Sequence, residues 1–236
     1  MNPIGVVICN YNKKDFVLQC VQSVLESKEK NFDIYVVDNA SSDGSAEALK
    51  KAYGNRITVI ENKENLGGSG GFNTGLRIVR DKGYSYFMCL DDDAAVDENA
   101  LSVLYHYMEE HTDTGMAGCR VYHTQMSDYI QQSGLLIDFD NCTAKTIGAD
   151  MPEDGSLPDV IECDTVATCA VMVRADTEKQ KGVGIMPEDN FIYWDDMEWG
   201  YRIKLAGYRV VTLAEAKALH QMGANTKKEN TFINYY

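Results

Sequence analysis

Tyr84-Ser85-Tyr86-Phe87-Met88-Cys89-Leu90-Asp91-Asp92-Asp93 is the stretch that decides the fold: an apolar, strand-like run ends on three consecutive carboxylates. Adjacent carboxylates repel one another, and are tolerable when solvated or when a cation sits among them. Hard divalent cations prefer oxygen ligands, and magnesium-type ions often use one or two carboxylates together with substrate phosphates. The plainer reading is a solvated turn that caps the next helix, because Asp is a good N-cap. The rest of the chain decides between them.

Upstream of this stretch, strand and helix patterns alternate. Ile4-Gly5-Val6-Val7-Ile8-Cys9 is a short continuous apolar run, as expected of a strand buried on both faces, and it ends in the polar turn Asn10-Tyr11-Asn12-Lys13-Lys14. Phe16, Val17, Cys20, Val21, Val24 and Leu25 then recur at helical spacing. Phe32–Val37 reads as a second strand ending at Asp38, with Ser42 or Asp43 capping the helix that follows, and Ile57–Ile60 as a third. Asn62–Gly75 reads as a Gly/Asn-rich loop running into a helix. Such alternation predicts an α/β fold with a mostly parallel central sheet and helices on both faces. Ligands of such sheets bind at the carboxyl ends of the strands. Asn10-Tyr11, Asp38 and Asp91–Asp93 all fall just past strand ends, so they should share one edge.

Downstream, a helix is expected around Ala100–Met108 and a strand at Gly115–Val121. Tyr129–Cys163 reads as antiparallel strands and loops covering the sheet, and Thr165–Val173 as another buried strand. Asp195–Leu205 reads as a capped helix ended by Gly207, and Tyr208–Leu213 as the last strand.

The chain has 236 residues, 44% hydrophobic and 25% charged, which suits one large domain with a substantial core. Its net charge of −14 argues against a nucleic-acid binder and against a polybasic membrane surface. A nucleotide held by a metal and backbone amides remains compatible. The seven cysteines include no CxxC pair and several lie in apolar runs, so reduced buried thiols and a reducing compartment are expected. No signal peptide or membrane-spanning run is expected, and the aromatic end Thr231–Tyr236 reads as the edge of a fragment of a longer protein.

Three further features carry chemistry. The glycines of Asn65–Gly75 match neither GxGxxG nor the P-loop; they fit either a backbone approach to a ligand at a helix N-terminus or tight helix packing. Asp195 and Asp196 follow Trp194 at a helix start, where one Asp would suffice as a cap. A carboxylate among other acids and an aromatic has a raised pKa, useful to a general base. His220 follows the last expected strand, as a structural residue or as the neutral imidazole completing a metal shell begun by the carboxylates. His106, His111 and His123 have no such partners in the pattern.

With these pieces placed, the chain resembles the inverting family-two glycosyltransferases of GT-A fold over nearly its whole length. The resemblance rests on Val6-Val7-Ile8-Cys9-Asn10-Tyr11-Asn12, Val36–Ser45, Asn65-Leu66-Gly67-Gly68, Asp91-Asp92-Asp93 as a DxD-type element, Trp194-Asp195-Asp196-Met197-Glu198-Trp199, and His220. Asn65–Phe72, the triple Asp and Trp194-Asp195-Asp196 look most like the bacterial galactofuranosyltransferase and rhamnosyltransferase branch. There is no QxxRW motif after the acidic pair, which argues against a processive membrane synthase.

The resemblance implies a Rossmann-like GT-A sheet with a small antiparallel acceptor-side portion. It implies one domain over 1–236, with a nucleotide-sugar half at 1–121 and an acceptor and catalytic half at 122–236. Asp38, with Asn10 and Tyr11, would contact the donor's pyrimidine base. Gly67, Gly68, Asp92 and Trp194 would also lie against the donor. Asp91 would face the ribose or the metal, and Asp91, Asp93 and His220 would hold manganese or magnesium. Asp196 would deprotonate the acceptor hydroxyl, with Asp195 as the competing assignment. The implied donor is a UDP-galactofuranose or dTDP-rhamnose type nucleotide sugar. The acceptor would be a cell-surface glycan or lipid-linked glycan. The reaction would run in the cytoplasm at the inner face of the membrane. The alternatives are a nucleotide-sugar-binding domain without its own activity, and a sugar nucleotidyltransferase.

Overall fold

A computed structural model of the chain describes residues 3–176, 183–192 and 194–221. The first apolar run forms β1 (Ile4–Asn10), with Ile4, Val6 and Ile8 packed on one face and Val7 on the other. The helix α1 (Lys14–Glu26) covers the first face through Val17, Cys20, Val21 and Val24. β2 (Phe32–Asp38) lies parallel to β1, with Asn10 opposite Asp38. α2 (Ser45–Tyr53) and a 3-10 turn (Gly54–Arg56) lead to β3 (Thr58–Glu61), parallel to β2. Asp43, rather than acting as a simple N-cap, serves two helix starts: its carboxylate accepts from the Lys14 amide at 2.8 Å and the Ser45 amide at 3.0 Å.

After α3 (Gly67–Lys82), β4 (Tyr86–Asp91) pairs parallel with the other side of β1, placing Asp91 opposite Cys9. The order β3-β2-β1-β4 therefore brings Asn10, Asp38 and Asp91 to one edge. Then follow β5 (Ala94–Val96), α4 (Ala100–Glu110), β6 (Thr114–His123), β7 (Met126–Gln132), β8 (Leu135–Asp138) and β9 (Thr143–Thr146). β10 (Met151–Pro152), β11 (Val160–Glu162), β12 (Ala170–Arg174), α5 (Asp195–Leu205) and β13 (Arg209–His220) complete the described elements. β12 sits antiparallel between β4 and β6, while β7 and β10 extend the sheet antiparallel and β8–β9 form a separate small sheet. α3 and α5 cover the second face, α3 over β1 and β2 and α5 over β6 and β13, with Phe72, Leu76, Val79, Trp199 and Ile203 in one buried cluster.

Three elements differ from expectation, the smallest difference being that the strand expected from Thr165 begins only at Ala170. The glycine stretch is not a loop: α3 begins at Gly67 and contains it. Glycine costs a helix ~0.5–1 kcal/mol relative to alanine, so packing must compensate. A Cβ at Gly75 would stand 2.5 Å from Val7 Cγ1, and one at Gly71 would strike Cys9 Sγ. The helix lies on β1 where side chains cannot fit. The last strand runs past Leu213 to His220, because an irregularity between Leu213 and Lys217 lets β13 re-register on β6. Its end pairs antiparallel with β5, setting His220 opposite Ala94, directly after the acidic triplet. The helix-favouring composition of Ala214–Ala218 hides this strand from local reading. All seven cysteines are free, six of them buried or half-buried. No described helix is long and apolar enough to cross a membrane.

Candidate active site

At the carboxyl edge of the sheet lies a cavity of about 790 Å³. Asp91 and His220 stand on its wall with Asp93 behind them, and the three offer ligand atoms within 4.8 Å of one another. His220 Nε2 is 3.2 Å from Asp93 Oδ1 and 3.7 Å from Asp91 Oδ2. Gln131 clasps the same histidine at both ends. Its Nε2 donates to the His220 carbonyl at 3.2 Å, which orients the amide, so Oε1 faces Nδ1 at 2.7 Å and accepts its proton. The Nε2 edge is thereby turned to the carboxylates.

This geometry fits a divalent cation. Asp93 Oδ1 is buried with no hydrogen bond, while Oδ2 receives the Lys13 ammonium at 2.7 Å. That oxygen faces His220 Nε2 at 3.2 Å without a well-aligned hydrogen bond, and a cation held between the two would satisfy both. Two carboxylates and one imidazole are donors suited to manganese or magnesium. Burial pushes Asp93 up, but His220 and Lys13 outweigh it and hold the carboxyl below its ordinary value. Burial pushes His220 down, but Asp93 and Asp91 outweigh it and raise the imidazole.

The second acidic pair reaches the same cavity. Trp194, in the left-handed region at φ 66°, caps the start of α5, and Asp195 and Asp196 occupy its first two positions. A non-glycine residue held there stores strain of ~1–3 kcal/mol, which surrounding contacts must offset. One is the Thr165 hydroxyl, which donates to the Asp196 carbonyl at 2.6 Å. Burial and then the neighbouring Asp195 push the Asp196 carboxyl up to about 7. Burial also raises Asp195. Trp194, Phe191 and Ile192 are exposed along the cavity lining.

Residues 5–175 match the family Glycosyl transferase family 2. The chain belongs to glycosyl transferase family 2. It is 26% identical over 146 residues to a teichoic acid poly(glycerol phosphate) polymerase of Staphylococcus epidermidis, covering 60% of this chain and 19% of that protein. It is 30% identical over 109 residues to the Escherichia coli UDP-Glc:alpha-D-GlcNAc-diphosphoundecaprenol beta-1,3-glucosyltransferase WfaP, covering 46% of this chain and 42% of that one. The chain thus spans less than half the length of either relative. In fold it is similar to the Pyrobaculum calidifontis mannosyltransferase PcManGT, solved in complex with GDP-Man and manganese. The TM-score is 0.68 at 16% identity, covering 94% of this chain and 58% of that one.

Within this family 2 chain, several sequence-predicted residues take supporting places. Asn10 and Asp38 are buried and do not line the cavity. Asn10 Nδ2 donates to Asp38 Oδ2 at 3.0 Å, and Asp38 Oδ1 accepts from the Ser41 amide at 2.8 Å. In this arrangement they brace the loops after β1 and β2. Tyr11 does line the cavity, half-exposed. Asp92 also lines it, but its carboxylate is taken by the Tyr11 amide at 3.0 Å and Lys13 at 2.9 Å. Burial pushes Asp92 up to about 7, against the pull of Lys13.

Gly67 and Gly68 reach the cavity without offering a free anion site. The Leu66 amide donates to Asn39 Oδ1 at 3.1 Å, Gly67 to Asn65 Oδ1 at 2.9 Å and Gly68 to the Phe191 carbonyl at 2.9 Å. These bonds give the amides a structural role in fixing the loop and the start of α3. Sequence reasoning also passed over Lys13 and Gln131. Lys13 had one signal, a cation just past a strand end in an acidic chain. Gln131 had none, since its partner is 89 residues away.

Proposed function

We propose that the chain is the catalytic domain of a metal-dependent inverting glycosyltransferase, moving a sugar from a nucleoside-diphosphate donor to a hydroxyl of a cell-surface or lipid-linked glycan. The observation that carries this reading is one cavity shared by the Asp91–His220 edge and the Asp195–Asp196 pair. In this reading residues 1–121 chiefly hold the donor and 122–236 the acceptor, with His220 crossing to the donor side. Asp91, Asp93 and His220 hold the cation, which when bound stabilises the negative charge of the leaving nucleoside diphosphate. Lys13 adds a fixed positive charge to the same wall. Asp196 takes the acceptor hydroxyl's proton as that oxygen bonds to the anomeric carbon and the sugar–phosphate bond breaks on the opposite side. The exposed Phe191, Ile192 and Trp194 at the mouth would cover a bound donor and keep competing water from the anomeric centre.

For the donor we propose the UDP-galactofuranose or dTDP-rhamnose type, supported by Asn65–Phe72, the triple Asp and Trp194-Asp195-Asp196. The free cysteines support a reducing, cytoplasmic location, and relatives named for teichoic acid and undecaprenol-linked substrates support an acceptor at the inner membrane face.

A thermal-shift panel of UDP- and dTDP-sugars, with manganese or with chelator, tests the reading. One nucleotide should raise the melting temperature only with metal. Equal stabilisation in chelator would remove the metal role, and no stabilisation by any nucleotide would remove the donor assignment. Gln131→Leu should leave the fold intact and weaken manganese binding ~10–100-fold by calorimetry, since it frees the His220 ring from its fixed tautomer. Wild-type affinity in that variant would show that the clasp does not tune the site.

A further inference from the structure

We infer that α3 is a positioning rail for the acidic pair, with Ser69, Asn73 and Arg77 aligning the segment that delivers Asp195 and Asp196 to the cavity. The three residues are spaced four apart and share one helix face. Each bonds to the stretch Met186–Phe191, more than 110 residues away. Ser69 Oγ donates to the Asn190 carbonyl at 2.6 Å. Asn73 Nδ2 donates to the Met186 carbonyl at 2.7 Å and to Glu188 Oε1 at 2.8 Å. Arg77 Nη2 meets the same Glu188 oxygen at 2.6 Å. The Gly68 amide adds its bond to Phe191 at 2.9 Å, where a Cβ on Gly67 would collide with that carbonyl.

The described residues 183–192 form neither helix nor strand, so no ladder of their own fixes them. Their position comes from outside. Ser69 and Asn73 are fully buried, and Met186 is buried in the same core face. From the other side, Trp199 Nε1 donates to the Gly184 carbonyl at 3.2 Å, tying α5 to the segment. At the same time Gly71 and Gly75 press α3 onto β1, whose end carries Tyr11 and Lys13. One rigid helix therefore sets the spacing between the donor-side loop and the acid pair. This also gives the glycine stretch a purpose: small residues face the sheet, polar ones face the segment.

Positioning of this kind acts on the transfer rate, since a misplacement of ~1 Å at a reacting group can cost ~100-fold. The inference rests on the reading of Asp195–Asp196 as the source of the base. Glu188 is half-exposed, so Glu188→Ala should fold. It should lower kcat ~10-fold with donor KM and metal-dependent nucleotide affinity within about twofold of wild type. Glu188→Gln keeps the oxygen that Asn73 and Arg77 use, and should restore most of the rate, because an exposed ion pair contributes little by charge alone. Asn73→Ala should cost ~100-fold in kcat.

Wild-type kcat in both Glu188→Ala and Asn73→Ala would overturn the rail. So would Glu188→Gln falling as far as Glu188→Ala, or nucleotide affinity falling in step with rate. Asp196→Asn is assayed alongside. Asp195→Asn is assayed with it: full activity in both would remove the base reading itself, whereas one inactive acid variant with unaffected rail variants would remove the rail alone.

Discussion

Asp196→Asn is expected to bind donor nucleotide and metal as the wild type does, and to lose ~10²–10⁴-fold in transfer. The substitution keeps shape but removes the charge and with it the ability to take a proton. The pH profile supplies the sign. A base works ionised, so kcat/KM should climb with pH and level off above the Asp196 pKa, about 7 in the metal-free protein. Asp91 contributes to that raised value, so a cation beside Asp91 should draw the rising limb to lower pH. Asp195→Asn separates the two candidates. It removes the charge that raises Asp196, so the limb should move to lower pH while much of the rate survives. If Asp195→Asn is the inactive variant and Asp196→Asn the active one, the roles are exchanged.

The parts of this protein that could be read locally are those whose environment imposes a simple pattern. β1, β2 and β4 are buried on both faces, so their runs are continuously apolar, and each ends on a polar residue at the same sheet edge. The start of α5 at Asp195 and its end at Leu205 coincide with the acidic pair and with the run-up to Gly207. What escaped reading depends on partners far along the chain. Nothing near Gly71 announces that Cys9 occupies the space its side chain would need. Nothing near Ala216 announces a strand, because the pairing that makes one comes from β6 and β5. Asn10 and Asp38 both sit at strand ends on the site edge. Adjacent parallel strands in register let Asn10 Nδ2 bond Asp38 Oδ2, while Asn10 Oδ1 stays buried without a partner. A strand end therefore marks the edge where a site lies, and only side-chain pairing decides which residues there are free to act.

Asp93→Ala carries the other large expected effect: loss of metal-dependent nucleotide binding, by ~100-fold or more, since even an outer-shell partner commonly accounts for ~10–100-fold of metal affinity. Asp93 is singled out over Asp91 by its pairing. Lys13 holds one of its oxygens and leaves the other buried and facing His220 Nε2 at 3.2 Å. Its removal leaves His220 with Asp91 alone, 3.7 Å away. It also leaves Lys13 bound to Asp92, with its charge still on the cavity wall. That residual cation makes a double test possible. If the metal is the main holder of the diphosphate, Asp93→Ala should bind nucleotide weakly and without response to chelator. Adding Lys13→Met should then remove the remainder. Undiminished, chelator-insensitive binding in Asp93→Ala, abolished only by Lys13→Met, would mean that the lysine holds the diphosphate and the carboxylates serve to orient it.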